Sequence, residues 1–416
     1  MSSYHFEVLG QNKNHFENLL FTGRGGLYYC GLFLWIAVRI LEQSMITVVI
    51  ENSLTVFKGL ELTALLIVLL HELSTLRDRR FPIITITTLL ALFSVVTLIS
   101  QRLYLLQLAI LIIVGRDCDI KQILKCALYS TIITAILIVA LSLLSFIPNY
   151  LFLWGGRERY GLGFKYATYL PALVFSCILL YGYINADRLG YLYLILCTVV
   201  EIILFVITDA RFLCPLGILA AALFFFITRP RVNAMPILRY VPLLFMLFPL
   251  ISYFIAIAYT SGNEVLYQLN SLLSSRLQLS HNAIETWGIG LLGADVEANA
   301  ITWQDGIAML PEEVNVVDSS YISSLINYGF IVTVILLAGY AFVAFRAWKS
   351  NDVALLAALL MISVMGLIEP RLLVLEYNPF ILSLGTLFSK TPLGMTSALL
   401  ASSASEHIPE RKLITS

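Results

Sequence analysis

Apolar runs of up to about 20 residues recur along this chain from Leu27 to Leu387, and that is the length a helix needs to cross the hydrocarbon core of a bilayer. Inside lipid every backbone N–H and C=O must be satisfied within the protein, so a series of such runs leaves the helix as the one local conformation open to each. Charged residues are 12% of the 416 and hydrophobic residues 59%, whereas a soluble domain carries about 25% charged residues. The expected fold class is an all-α polytopic membrane protein with about 12 transmembrane helices. The runs fall at 27–49, 54–74, 82–100, 103–115, 125–147, 167–185, 189–207, 212–228, 240–260, 320–343, 353–368 and 372–389, of which 103–115 is the shortest.

Charge sets the expected orientation. With the N-terminus inside, the segments between runs place 17 of the 26 Lys and Arg residues in the cytoplasm, including the compact clusters at 77–80 and 229–231, as the positive-inside rule asks. Residues 1–26 and 390–416 then form cytoplasmic tails, the second rich in small polar residues and expected to be disordered. The first 24 residues lack an apolar signal-peptide core, so they are expected to be retained. Two outer loops remain: 148–168 between helices of the 27–260 block, and the long extracytoplasmic loop 261–319 before the last group, 320–389. The localisation that follows is the cytoplasmic membrane, multi-pass, with both termini inside. Six cysteines lie within runs or at their cytoplasmic ends and form no CxxC pair, so neither a disulfide framework nor a thiolate metal site is expected.

The orientation leaves cations where they are normally depleted. Arg157, Arg159, Arg211 and Arg276 all fall on the outer side, and a planar guanidinium is suited to phosphate oxygens. Arg157 and Arg159, with Tyr160 and Lys165, belong to the glycine- and aromatic-rich stretch GGRERYGLGFKYATYLP. Its alternative reading is a turn whose arginines meet lipid phosphates. Asp209 and Arg211 form a charge pair between two runs, either a local ion pair or the mouth of a cavity. In the long loop, Glu264 to Thr286 has helical periodicity and is expected to lie on the membrane surface. It sets Arg276 and Ser280 four apart, with His281 on the adjacent face. Asp318 precedes the run that begins near Ser320; an acid there caps a helix or accepts a proton from an attacking hydroxyl. Glu369 and Arg371 flank a proline and read as a neutralised turn or a substrate contact. Glu61, His71, Glu72 and Glu201 fall in or near runs without relay spacing. No nucleotide-binding loop, HExxH helix or DxD-type metal site is present in the sequence.

Taken in order, these elements resemble the O-antigen polymerase and O-antigen ligase superfamily. Arg159 with Gly161, Gly163 and Phe164 is similar to the family's Arg–Gly–Phe segment, Arg211 to its "Ser-Arg" position, and Ser275–Arg276–Leu277 to its loop arginine. Asp318, Tyr321 and Tyr328–Gly329 are similar to the pattern entering the tenth run. The resemblance spans roughly 150–370 and rests on architecture. Two departures accompany it. The ligases' His-Asn near the end of the long loop is replaced by Asp318–Ser319, which favours the polymerase branch. Lys165–Tyr166–Ala167–Thr168 stands where a Pro-Asn usually follows the first segment.

The resemblance implies a GT-C-like glycosyltransferase that joins polyprenyl-pyrophosphate-linked oligosaccharide repeat units at the outer face by metal-independent inverting transfer, without a cofactor. Such an enzyme would build a capsule, exopolysaccharide or O-antigen, working beside membrane lipid with a chain-length regulator and a flippase as further partners, and without nucleic acid. Under this expectation Arg159, Arg211 and Arg276 hold the pyrophosphate, Arg157 assists, and Asp318 or His281 is the base, with Asp318, Arg211 and Arg276 as the catalytic set. Tyr160, Lys165, Tyr321 and His281 contact substrate. The alternatives are an O-antigen ligase-type transferase within the same superfamily and, from another class, a lipid-linked oligosaccharide flippase.

Overall fold

The computed structural model describes residues 25–75, 83–154, 157–229, 232–296, 302–304, 307–309 and 317–389. Residues 1–24 of the expected N-terminal tail, the whole C-terminal tail, the basic cluster 77–80, Arg231, Gly155 and parts of the long loop fall outside the described residues. The chain is predominantly helical. Its principal helices are α1 Gly26–Glu42, α2 Ser53–Thr75, α3 Ile83–Ser100, α4 Tyr104–Val114, α5 Ile120–Leu143, α6 Tyr169–Ile184, α7 Tyr191–Thr208, α8 Leu213–Ile227, α9 Val241–Ala258, α10 Glu264–Leu272, α11 Arg276–Trp287, α12 Ser320–Asn327, α13 Gly329–Lys349 and α14 Val353–Met365. Five of them, α2, α5, α7, α9 and α13, are long and apolar enough to cross a membrane, and α3, α6, α8 and α14 are shorter apolar helices. Their outer surfaces are apolar as well: Leu192, Ile195 and Val206 on α7 and Leu250 and Phe254 on α9 stand exposed. Apolar belts of this extent mark a protein that sits in a membrane.

α1 packs on α2 and α5, α8 on α6 and α7, and α9 on α13, around a core that includes Tyr28, Trp35, Phe175, Phe224, Phe245 and Tyr340, all fully buried. Short connections between consecutive helices make neighbours antiparallel. One end of the bundle therefore gathers the loops after α5 and α9, and is called the loop end below.

The expected helix limits hold to within a few residues at most runs, and four expectations are corrected. The run 372–389 is not an α-helix. Residues after Met365 pass through turns into a 3₁₀ segment, Pro379–Leu387, because Pro379 lacks the N–H an α-helix needs and biases Asn378 away from helical dihedrals. This passage contacts α4, α5 and α13. It leads from Glu369 at the loop end to Thr386, whose carbonyl accepts from Arg346 Nη1 at 3.0 Å, and to Ser389, whose Oγ donates to Asp117 at 3.0 Å, at the far end. Leu372, Leu373 and every residue from Leu375 to Gly385 are buried, and burial in protein is the condition under which non-helical backbone is tolerated at membrane depth.

The run 320–343 is broken into α12 and α13 at Gly329, whose φ is +79°. A Cβ there would lie 2.3 Å from the backbone N of Gly293, so the glycine lets the long loop seat against the break. The surface helix expected over Glu264 to Thr286 is likewise two helices, with Ser274 and Ser275 both at positive φ between them. The expectation of an all-α chain also missed a small sheet at the loop end. Strands β1 Leu151–Trp154, β2 Arg157–Tyr160, β3 Thr302–Gln304 and β4 Ile307–Met309 run in the order β2-β1-β4-β3, with β1 and β4 parallel. This sheet ties the two outer loops of the sequence reading together.

Candidate functional site

The loop end holds the arginines. Residues two apart on a strand share a face, so Arg157 and Arg159 of β2 both reach the C-terminus of α7. Arg159 Nε donates to the carbonyl of Thr208 at 2.9 Å and Arg157 Nη2 to that of Asp209 at 2.8 Å. These are carbonyls that a helix end leaves without intrahelical partners. Arg157 Nε also pairs with the Asp209 carboxylate, which Arg211 Nε reaches at 3.0 Å. Burial opposes the Asp209 charge, and the hydrogen bonds from Arg157 and Arg211 outweigh it, holding the carboxyl below its ordinary value. The side chain of Arg211 is 60% exposed, so it faces outward from the rest of the group.

The inner part of the site is a chain of alternating charges. Arg276, first residue of α11, lies 3.3 Å through Nε from Asp318 and 2.9 Å through Nη1 from Glu369, and Nη1 also donates to the carbonyl of Ile368. Glu369 is shared with Arg371, whose Nη2 donates to Thr168 Oγ1 at 2.7 Å. Asp318 feels the charges of Arg276, Glu369, Arg371 and Arg159. Segments far apart in sequence thus converge: β2, the start of α6, the start of α11, the entry to α12 and the turn after α14. Five guanidiniums, of Arg157, Arg159, Arg211, Arg276 and Arg371, meet three carboxylates, of Asp209, Asp318 and Glu369.

Burial raises the Asp318 carboxyl above its ordinary value, with Arg276 pulling the other way. For Arg276, burial works against the charge, and Glu369 followed by Asp318 outweigh it to leave the guanidinium above its ordinary value. Burial raises the basicity of such a carboxylate while the neighbouring guanidiniums favour its charged form, a balance suited to accepting a proton. Next to it Ser319 is the N-cap of α12, but its Oγ caps nothing and is buried without a hydrogen-bond partner.

Other expected contacts lie elsewhere. His281 Nδ1 is 2.9 Å from the carbonyl of Ala256, Nε2 is 3.3 Å from Glu285, and the ring packs edge-on to Tyr259. These contacts tie His281 to α9 and to its own helix rather than to the Asp318 group. Ser280, on the face of Arg276, donates its hydroxyl to the Arg276 carbonyl at 3.0 Å. Tyr321 is fully buried and its hydroxyl donates to the carbonyl of Ser363 at 2.8 Å, which clamps α12 to α14. Tyr160 is exposed on β2. Lys165 belongs to a different neighbourhood: its backbone N donates to the carbonyl of Gln43 at 2.9 Å, and burial pushes its ammonium below the ordinary value while Glu42 opposes that.

The sequence leaves Glu369 and Arg371 open between a neutralised turn and a substrate contact; they are buried and complete the Arg276 pair. A second group was not foreseen. Behind them, Arg39 meets Glu42, Glu61 and Glu376 at 2.7, 3.9 and 3.5 Å. The available signal was Glu376 itself, the one charged residue between Leu372 and Ser389. Comparison of the chain with protein-family models, with curated proteins and with solved structures finds no match.

Proposed function

We propose that this protein is a polysaccharide polymerase of the O-antigen polymerase type, acting at the outer face of a bacterial cytoplasmic membrane on polyprenyl-pyrophosphate-linked oligosaccharides. The observation that carries this reading is the convergence of Arg159, Arg276 and Arg371 on Asp318 and Glu369 beneath the two loops. In this reading the loop end is the outer face, both termini are cytoplasmic, and the helices with the buried 366–389 passage make up twelve crossings of a GT-C-like fold.

The chemistry is an inverting displacement. The acceptor hydroxyl oxygen bonds to the anomeric carbon while the bond from that carbon to the pyrophosphate oxygen breaks, its electron pair leaving with the pyrophosphate. Asp318 takes the hydroxyl proton. Charge develops on the departing pyrophosphate, and preorganised guanidiniums in a water-poor site stabilise it. Arg276 and Arg159 are the inner ligands in this scheme, and exposed Arg211 meets the donor as it arrives. Guanidiniums already paired with carboxylates are held in place and exchange part of that pairing for phosphate oxygens.

A second reading, a lipid-linked oligosaccharide flippase, is favoured by one observation: Arg39, Glu61 and Glu376 meet inside the bundle, as charges on a transport path do. One experiment separates the two. Purified protein is reconstituted in liposomes with a lipid-linked repeat unit and EDTA, and the products are run on a gel. A ladder of repeat-unit multiples, lost in Arg276→Ala, is the expected result. An unchanged ladder in Arg276→Ala removes these residues from the mechanism. Absence of a ladder together with substrate reaching the opposite leaflet replaces the polymerase by the flippase.

A further inference from the structure

The buried charges around Arg39 are not used by the proposed chemistry, and their balance is uneven. Glu376 is fully buried. Its Oε1 accepts from Gln43 Nε2 at 2.7 Å and lies 3.5 Å from Arg39, and its Oε2 has no partner. Glu61 is buried eight residues into α2, about 12 Å below the helix start, and Arg39 approaches it only to 3.9 Å. Glu42 takes the close contact with Arg39, 2.7 Å, and has Lys165 as a second cation. Arg39 alone therefore faces both Glu61 and Glu376.

The other groups around the cluster do not correct the imbalance. Tyr104 from α4, Tyr169 from α6 and Tyr328 from the break before α13 are neutral phenols. Tyr377 donates to Gln43 Oε1, and Arg371 on the far side of its ring is taken up by Glu369. Gln107 offers Glu61 a neutral amide donor and no charge, and its Oε1 is buried with no hydrogen-bond partner. Two carboxylates sharing one guanidinium in a desolvated interior cannot both stay ionised at neutral pH without a further positive charge. A metal ion does not fit, because no group of three ligating side chains is positioned for one among the described residues. A proton does fit. On Glu61 it has an acceptor at hand in the orphaned Gln107 Oε1 after an amide flip, and on Glu376 it neutralises the oxygen that lacks a donor.

We propose that Glu61 and Glu376 form a proton-binding site inside the bundle, sharing a single proton across Arg39. The two carboxyls titrate as one unit. Glu376 is followed directly by Tyr377, whose ring carries Arg371 at 4.8 Å and whose hydroxyl holds Gln43. The proton thus sits one residue from the arginine network of the candidate site. This inference rests on the charge count and not on the polymerase reading, so it stands or falls separately.

The test uses the intact protein in lipid nanodiscs, in a Glu201→Gln background because Glu201 is another fully buried carboxyl. Dicyclohexylcarbodiimide, an apolar reagent that needs a protonated carboxyl, is applied between about pH 5 and about pH 9, and adducts are mapped by mass spectrometry. Adducts on Glu61 and Glu376 are expected, falling about tenfold per pH unit above a common midpoint. A shared proton makes a further demand. Glu61→Gln must abolish labelling of Glu376, and Glu376→Gln that of Glu61, because Arg39, with Glu42 also held by Lys165, then faces one buried carboxylate instead of two. The protonated-carboxyl stretch in infrared difference spectra must vanish in either variant. Continued labelling of the remaining carboxyl in both variants, or no protonated-carboxyl band in the parent, overturns the proposal. Retained cooperative unfolding of the two variants guards against reading a misfolded protein.

Discussion

Glu369→Gln tests the charge network most directly. The Glu369 side chain is 3% exposed and lies between Arg276, 2.9 Å away, and Arg371. The amide preserves the shape and removes the charge, leaving two guanidiniums with Asp318, 3.3 Å from Arg276, as their remaining carboxylate. Removing one partner from a buried ion pair costs about 3–5 kcal/mol. The amide oxygen still accepts one hydrogen bond and Asp318 still pairs with Arg276, so a loss of about 3 kcal/mol, at the low end, is expected. The same change raises the pull on an incoming anion. A unit charge about 6 Å from another, at an effective dielectric of about 20, is worth about 3 kcal/mol. Part of that is lost to rearrangement, and a gain of about tenfold in affinity for inorganic pyrophosphate remains, worth about 1.4 kcal/mol. Denaturant unfolding in detergent measures the first effect and titration calorimetry the second. Arg371→Met in the Glu369→Gln background must cost less than the sum of the single changes, since contacting residues do not add. Stability within about 0.5 kcal/mol of the parent, additivity in the double variant and unchanged pyrophosphate affinity would show that Glu369 does not neutralise Arg276 and Arg371.

Three further outcomes are expected. Gly329→Ala forces a side chain into a left-handed position, about 1–2 kcal/mol, and its Cβ meets backbone at 2.3 Å. Hydrogen exchange then rises at Phe330 and Ile331, whose N–H groups bond to Gly290 and Leu291; unchanged protection there dismisses the close approach as a structural requirement. The Asp209 carboxyl is held low by Arg157 and Arg211. Its contribution is therefore full above the ordinary aspartate value of about 3.9 and is lost as pH falls through the lower folded value. Proteolytic nicking of the 148–168 loop is flat at neutral pH and rises only in acid, a rise that Asp209→Asn must remove. If Asp318 is the base, polymer formation needs it ionised, and because burial raises its carboxyl, activity fails on acidification at a higher pH than an ordinary aspartate would dictate. A profile flat down to about pH 4 would assign the proton to another group.

Most of the helical frame was legible in the sequence because a bilayer leaves an apolar run little choice of conformation. The run expected at 212–228, found as the helix Leu213–Ile227, and its neighbours are examples: their limits follow from where polar residues begin. The breaks were less legible. Ser274 and Ser275 adopt positive φ, and neither residue type signals it. The Tyr328–Gly329 step, singled out only by resemblance, gives no sign of a helix break until Gly293 is packed against it. The passage after Met365 carried its own warning in Asn378–Pro379, but what keeps a non-helical segment at that depth is the ring of helices around it.

The candidate site divides along the same line. Sequence alone marked Arg157, Arg159, Arg211 and Arg276 as cations on the side where cations are depleted, and Asp318 as an acid at the start of an apolar run. It could not show that Glu369 and Arg371 belong with Arg276, or that Glu376 belongs with Arg39, because those pairs are separated by 93, 95 and 337 residues in numbering. Nor could it show that Tyr321 and His281 are committed to Ser363 and Ala256. Membrane residence is a sum over local transfer free energies, which a linear chain displays. Which charges neutralise one another depends on distances that exist only after the helices have packed, and that is what the tertiary structure decided.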